Sequence, residues 1–433
     1  MSTEDRPHHD VARVEPVSEA AAASALPDAV PWFVLLFSVS LEAPPIDLDM
    51  AVADGVRQAS RITPFPAEQL IAYRDLRDEA EAHVLGSPFL EARRQRHWPL
   101  GRLAIAAEGD TPQAPSIADV HLFTHVAGVA LWEIWLPGPP QAFDAERWIA
   151  WLDVEASDGL PARIWDALEP LNRVLGASTP GRQYLPCSVV RLSDRPLAAL
   201  TEEHAADIVR LLWRDRSNRR LKEEVVVAEL ARDYCAREGG ITLLGRRGAV
   251  DIHGIEDESA EVAVRTGLPP KSAIPFVVTL ELLLLERAVL LHLYQRLMQT
   301  EPTTIGGLLD LRRQVTDSLE EYYGATLAST RFGDAVAEDG ERLLGIVDTY
   351  DAVMDRLEAV SFALTTRYQQ RMTEMQVWLT VVFGATEIGT ITSGIAVWVY
   401  RNDLGAVLAW TLGASVLTAG VLVALLRRRM VER

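Results

Sequence analysis

Cysteine is nearly missing from this chain of 433 residues: Cys187 and Cys235 are the only two. Two cysteines build no disulfide framework, and without a paired C-x-x-C they offer no structural zinc site. The sequence therefore reads as a chain of a reducing compartment, held by packing. Lysine is as scarce, occurring only at Lys222 and Lys271, so the positive charge is almost all arginine, a bias of composition rather than of function. Positive charge as a whole is in deficit. There are 61 acidic residues against 42 basic ones, a formal charge of −19, and affinity that comes from neutralising phosphates is poorly served by that balance. General DNA or RNA binding is excluded on this ground. There is also no G-x-x-x-x-G-K, no G-x-G-x-x-G and no H-E-x-x-H, and the expectation is that the chain is not an enzyme. What is present is 48% hydrophobic and 24% charged, material for two or three domains with real cores.

The apolar residues are unevenly spread and gather at the C-terminus. Residues 376–400 carry one charged group, Glu387, over a length that spans the roughly 30 Å hydrocarbon layer at about 1.5 Å per residue. Residues 404–426 carry none. Joined by the short turn Arg401-Asn402-Asp403, the two segments are expected to form a helical hairpin with both ends on one side of the bilayer. Arg427, Arg428 and Arg429 after the hairpin, with Arg367 and Arg371 before it, outweigh the turn. By the positive-inside rule both termini are then cytoplasmic, in a multi-pass protein of the inner (cytoplasmic) membrane. Trp378, Trp398, Tyr400 and Trp410 lie near the ends of the spans, where aromatic belts sit. Two other apolar stretches are assigned differently. Residues 30–41 are too short to span and read as a buried strand. Residues 276–297 are long enough but contain Glu281, Glu286, Arg287 and His292, whose insertion penalty outweighs the leucines, so they read as a buried helix of a soluble domain.

The rest divides by pattern. Residues 1–28 have no apolar period and read as a disordered acidic tail. Residues 29–270 read as a cytoplasmic α/β domain, with strands at 32–41, 103–107, 119–125, 129–136 and 185–192 and helices at 66–85 and 143–153. Residues 119–136 form a hairpin: Val120, Leu122 and Thr124 alternate before the turn Val126-Ala127-Gly128, and Val129, Leu131 and Glu133 after it. Helices are expected at 197–213 and 221–237, and a small hairpin at 241–252 around Gly245 to Gly248. His121 and His125 share one face of their strand but lack an evident third metal ligand. Residues 271–375 read as a helical stalk. Leu343, Val347, Tyr350, Met354, Leu357, Ser361, Leu364 and Tyr368 alternate at spacings of 4 and 3, a coiled-coil seam, and no Gly or Pro lies between Gly345 and Gly384. Seam and first span are thus expected to be one helix of roughly 55 residues, about 80 Å long. Whether the partners of the seam lie in the same chain is left open by the pattern. Residues 427–433 are a basic cytoplasmic tail.

This order of elements, an α/β domain, a stalk helix continuous with a first span, a tiny outer turn, a second span and a basic tail, resembles the CorA-type metal-ion transporters. The likeness is clearest over 275–433, with Leu364-Thr365-Thr366-Arg367-Tyr368-Gln369-Gln370-Arg371-Met372-Thr373-Glu374-Met375 leading into the span. The resemblance implies a homopentamer in the lipid bilayer, a channel or transporter for metal cations gated by its cytoplasmic domain, with the first spans lining the pore. It implies Mg²⁺ or another divalent cation as transported or regulatory ion. The family's Gly-Met-Asn triplet is absent, and its place reads Tyr400-Arg401-Asn402-Asp403, the expected external mouth. A membrane-anchored sensor of the same architecture without selective transport is the alternative.

Within that frame, Thr380, Gly384, Glu387, Ile391 and Gly394 share one stripe of the first span and are expected to line a pore as a ring of carboxylates among small residues. The other reading of Glu387 is a protonated carboxyl bonded between helices. Met372, Met375, Leu379 and Phe383 are candidates for an apolar gate, or pack against the second span. Asp348, Asp351 and Asp355, at i, i+3 and i+7 in an acidic stalk, either share a regulatory divalent ion between subunits or form a solvated face.

Overall fold

The computed structural model describes residues 29–41, 48–59, 61–92, 95–105, 114–156, 159–177, 184–192, 196–217, 219–236, 239–254, 268–299, 330–400 and 403–431, with six single positions between 307 and 316. The acidic tail 1–28 and the turn residues Arg401 and Asn402 lie outside the described residues.

The long apolar run near the start is the middle of a sheet. Strand β1 (Ala29–Ser40) is buried on both faces nearly throughout, as a continuous apolar run without alternation requires. It pairs antiparallel with β5 (Val129–Pro137) on one side and β6 (Tyr184–Leu192) on the other. Outward from β5 come β4 (Ile117–His125), β3 (Gln95–Ala104) and the short β2 (Ile62–Thr63); outward from β6 come β8 (Ala249–His253), its parallel neighbour, and β7 (Gly240–Leu244). The sheet has eight strands. The hairpin expected at 119–136 is β4–β5, turned at Gly128, whose φ of 83° suits the residue without a Cβ. The small hairpin at 241–252 is β7–β8, closed by the Gly245 N–H donating to the Gly248 carbonyl at 2.9 Å.

One face of the sheet carries the main core. Phe33, Leu35 and Phe37 of β1, Val120 and Leu122 of β4, and Trp132 and Ile134 of β5 pack beneath helices α1 (Leu48–Gln58), α3 (Ala145–Trp151), α4 (Leu160–Leu175) and α5 (Leu197–Trp213). The opposite face lies beneath α2 (Ala67–Ala92) and α7 (Ile274–Gln299). Ala80 and Val84 of α2 pack on Ile274, Val278 and Leu282 of α7, which is buried along most of its length, as a helix of a soluble domain is. Helix α6 (Glu223–Leu230) follows α5, and α8 (Arg331–Leu343), α9 (Ile346–Val399) and α10 (Leu404–Val431) complete the chain.

Several boundaries differ from the sequence pattern. The strand expected at 103–107 starts at Gln95 and ends at Ala104. Pro99 and Gly101 look like breakers but are absorbed by a register shift, and the Gly101 backbone lies too close to the Thr63 carbonyl for any side chain. The helix expected at 221–237 stops at Leu230, since Asp233 turns back to accept from the Thr242 and Cys235 N–H groups, and Tyr234 N–H donates to the Thr242 carbonyl. Helices α1 and α4 have no counterpart in the pattern reading; in α4 the prolines Pro161 and Pro170 mask an amphipathic helix that Pro161 starts and Gly176 ends. The seam is interrupted at its head. Leu343 ends α8, Gly345 turns at φ 69°, and α9 begins at Ile346. From there the helix runs 54 residues without a break.

The chain forms two compact units, Met1–Arg296 with Gln314–Val353, and Leu297–Arg313 with Met354–Arg433. The first takes in α7 and α8, so much of the expected stalk belongs with the sheet. In the second, α9 and α10 are long and apolar enough to cross a membrane.

Candidate functional site

On the face of the sheet beneath α2 and α7, the strands bring together residues that are far apart in sequence. Antiparallel pairing sets His121 of β4 opposite Glu133 of β5 and Asp119 opposite Trp135. On the other side of β4, His97 of β3 is opposite Phe123. Above them α2 presents Tyr73, Arg77 and Glu81, four residues apart and so on one helical face, while α7 supplies Glu281. Arg77 is the hub. Its Nε donates to Glu81 Oε1 at 2.7 Å, its Nη1 to Glu133 Oε2 at 3.0 Å and its Nη2 to Glu281, and the guanidinium lies 4.3 Å from the centre of the Phe123 ring. Glu133 Oε1 accepts from Tyr73 Oη at 2.9 Å and from Trp135 Nε1. His97 Nε2 is 3.2 Å from His121 Nδ1. The rings are clamped by aromatics: His121 stacks on Tyr73 at 4.3 Å and on Phe65 at 5.3 Å, and His97 lies nearly parallel to Phe123 at 4.5 Å.

All but His97 and Phe65 are buried, with Glu133 at 0% exposure, so one guanidinium meets three carboxylates out of contact with water. Ions so placed are retained only when paired. The electrostatics settle the excess in one direction. Burial, with the nearby Glu133 charge, pushes the Glu281 carboxyl well up against the pull of Arg77. Glu133 is also buried, yet Arg77, His121 and its two side-chain donors hold it below the usual carboxylate range. Burial lowers the His121 imidazole to about 4, with Glu133 opposing, so at neutral pH it is uncharged. Among the described residues, His97, His121 and Glu133 bring ligand atoms within 4.8 Å of one another. His125 stands apart from that group. Its Nδ1 accepts from the Ala127 N–H in the hairpin turn, and the residues whose ligand atoms lie near His121 are His97 and Glu133. Farther along α7, Glu286 is 1% exposed with Oε2 unpartnered. Burial and then the Glu341 charge push it up to about 8.

The span residues sit on α9 and α10, which cross closely. A Cβ on Gly389 would come 2.2 Å from Ser415 Oγ, and one on Gly384 would touch Leu422. Val381, Gly389 and Ala396 form the buried side of α9. Glu387 lies two residues from Gly389, about 200° around the helix, and is exposed, as are Thr380, Ile391 and Gly394; Gly384 lies between the two sides. Among the described residues, then, α10 leaves Thr380, Glu387, Ile391 and Gly394 of this stripe open, while Gly384 meets Leu422. Met372, Met375, Leu379 and Phe383 are exposed too. At the C-terminal end of α9, Tyr400 is exposed and Asp403 Oδ1 accepts from the Ala406 N–H, capping α10; Arg401 and Asn402 lie outside the described residues. Asp348, Asp351 and Asp355 are exposed on α9, while Ile346, Val353 and Leu357 are buried. These aspartates do not meet as a ligand group among the described residues of one chain.

The pattern reading missed the cluster beneath α2, although one signal was visible. Glu133 occupies an inward position of an otherwise apolar alternation, and a carboxylate there demands a partner. His97 gave no signal of its own. No family model, no curated protein and no solved structure matches this chain.

Proposed function

We propose that the protein is a CorA-like homopentameric cation channel or transporter of the inner membrane, with both termini cytoplasmic, its pore lined by α9 and gated by the sheet domain. The observation that carries the reading is the open stripe of α9. Two apolar helices cross through Val381, Gly389 and Ala396 on one side, and the only charged residue of the span, Glu387, faces away from that contact. A carboxylate on the uncovered side of an apolar helix needs water or a partner. Copies arranged about an axis provide both, with Thr380, Gly384, Glu387, Ile391 and Gly394 facing the pore. Exposed Met372, Met375, Leu379 and Phe383 then face the same axis as a constriction that closes by dewetting. Tyr400, Arg401, Asn402 and Asp403 form the external mouth. Asp348, Asp351 and Asp355, exposed on the same helix, are free to hold Mg²⁺ or another divalent ion between neighbouring subunits.

Divalent-cation flux into proteoliposomes tests the reading. Wild type should conduct, and Glu387→Gln, which keeps size and hydrogen bonding but removes charge, should lower flux severalfold while the oligomer stays intact. Absence of flux in the intact wild-type oligomer refutes transport and leaves the membrane-anchored sensor. That alternative draws on the absence of Gly-Met-Asn. Unchanged flux in Glu387→Gln removes Glu387 from the pathway.

A further inference from the structure

We propose that His97, His121 and Glu133 are the protein ligands of a transition-metal ion of the Zn²⁺ class, bound within the sheet unit by the chain's own residues. The site is distinct from the cation pathway of the preceding section and does not depend on it.

Donor chemistry and spacing come first. Two imidazoles and a carboxylate are a ligand set suited to zinc and its neighbours in the first transition row, and poorly suited to Mg²⁺ or Ca²⁺, which take oxygen alone. Tetrahedral zinc at about 2.0–2.1 Å from each nitrogen sets two ligand nitrogens about 3.4 Å apart. His97 Nε2 and His121 Nδ1 are 3.2 Å apart, and the three donors fit within 4.8 Å. Of about four lone-pair directions on the Glu133 carboxylate, Tyr73 and Trp135 take two on Oε1 and Arg77 takes one on Oε2; the neighbouring Glu281 carboxyl shares the fourth, and a bound cation would take its place.

The surroundings resemble a built ligand shell. Tyr73, Trp135 and Arg77 fix the carboxylate by hydrogen bonds, and Tyr73, Phe65 and Phe123 fix the rings by stacking. Ligand-orienting contacts of this kind tune a metal site. A small cavity touches His121 on the side of Asp119, Tyr73 and Gln69. Charge gives an independent reason. Glu81, Glu133 and Glu281 surround a single Arg77, an excess of carboxyl groups over cations that a bound dication would offset.

The test uses the full chain purified in detergent, stripped with a chelator, dialysed against ZnCl₂ and then against metal-free buffer, with metal counted by mass spectrometry. One zinc per chain is expected, with at least a tenfold loss of affinity in His97→Gln; His97 is only partly buried, so this variant should keep the wild-type far-ultraviolet circular dichroism. Glu133→Gln should lose zinc likewise. CoCl₂ gives a readout that needs no variant: a four-coordinate His₂Glu site yields an intense visible band, an octahedral surface ion a weak one. Wild type that retains no zinc, zinc retained undiminished in His97→Gln, or a weak octahedral cobalt spectrum overturns the proposal. In that event the cluster is closed by a proton on Glu281. An ion held in the membrane pathway is told apart because His97→Gln leaves it in place while Glu387→Gln removes it.

Discussion

Glu286 lies inside α7, 1% exposed, with one carboxylate oxygen unpartnered and Glu341 of α8 as its charged neighbour. Its folded-state pKa is raised to about 8 by burial and by Glu341, against about 4.3 in an unfolded chain. Below the unfolded value both states are protonated and folding carries no penalty. As pH climbs from there towards 8, folding must take up a proton, so stability falls across that window. Glu286→Gln should therefore leave the melting temperature unchanged near pH 4 and raise stability at pH 8, by on the order of 4 kcal/mol. Thermal melts of both proteins from pH 4 to pH 8 check this, and parallel curves would show that Glu286 is solvated. At the same scale the sequence was legible where one residue contradicts its neighbours. Glu387 in an apolar span and Glu281 and Glu286 in an apolar helix are each visible alone. His97 is not, because nothing within ten residues of it reveals that β4 will lie beside it.

At the level of elements, the crossing of α9 and α10 rests on glycine. Gly389 faces Ser415 at a distance that admits no side chain, whereas among the described residues nothing beyond the helix's own backbone lies within 4 Å of a Cβ on Gly394. Gly389→Leu should separate the helices and destabilise the hairpin by about 1–3 kcal/mol, the usual cost of overpacking. Gly394→Leu should leave the melt of the detergent-purified protein unchanged and, if that face lines a pore, reduce ion flux. Equal melting shifts for the two variants would refute the assignment of faces. The element boundaries that sequence placed well, β4–β5, β7–β8 and α5, end in local signals such as Gly128, the Gly245 to Gly248 turn and Pro196. Those it placed badly, β3 and α6, end through contacts with another strand, a long-range cause that a local pattern does not contain.

For the whole molecule, the seam on α9 separates into two parts. Leu357 and Leu364 are buried within the chain, so a polar residue at Leu357 would injure the protomer itself and is a poor probe of assembly. Val347, Met354 and Tyr368 belong to the same seam and are 40%, 40% and 50% exposed. An apolar stripe left open beside a filled one is what an oligomer interface would use. Met354→Glu should lower the mass of the detergent-solubilised particle from that of five chains towards that of one, with the protomer's melt little changed. Light scattering of the wild type that gives one or two chains removes the fivefold assembly and the CorA-like reading with it.

What the sequence determined by itself is what depends on neighbours along the chain. The two apolar helices and the unbroken 54-residue helix follow from hydropathy, from the absence of Pro along that helix and from the absence of Gly before Gly384, and the buried first strand from an apolar run too short to span a bilayer. The tertiary structure alone decided what depends on neighbours in space. Arg77 meets Glu281 across 204 residues, and His97, His121 and Glu133 become one group because three strands pair in the order β3-β4-β5. The reason is the range of the forces involved. Helix and span formation use hydrogen bonds and solvation settled within a few turns, whereas a buried ionic cluster exists only after the sheet has assembled and two helices have shut water out of one of its faces.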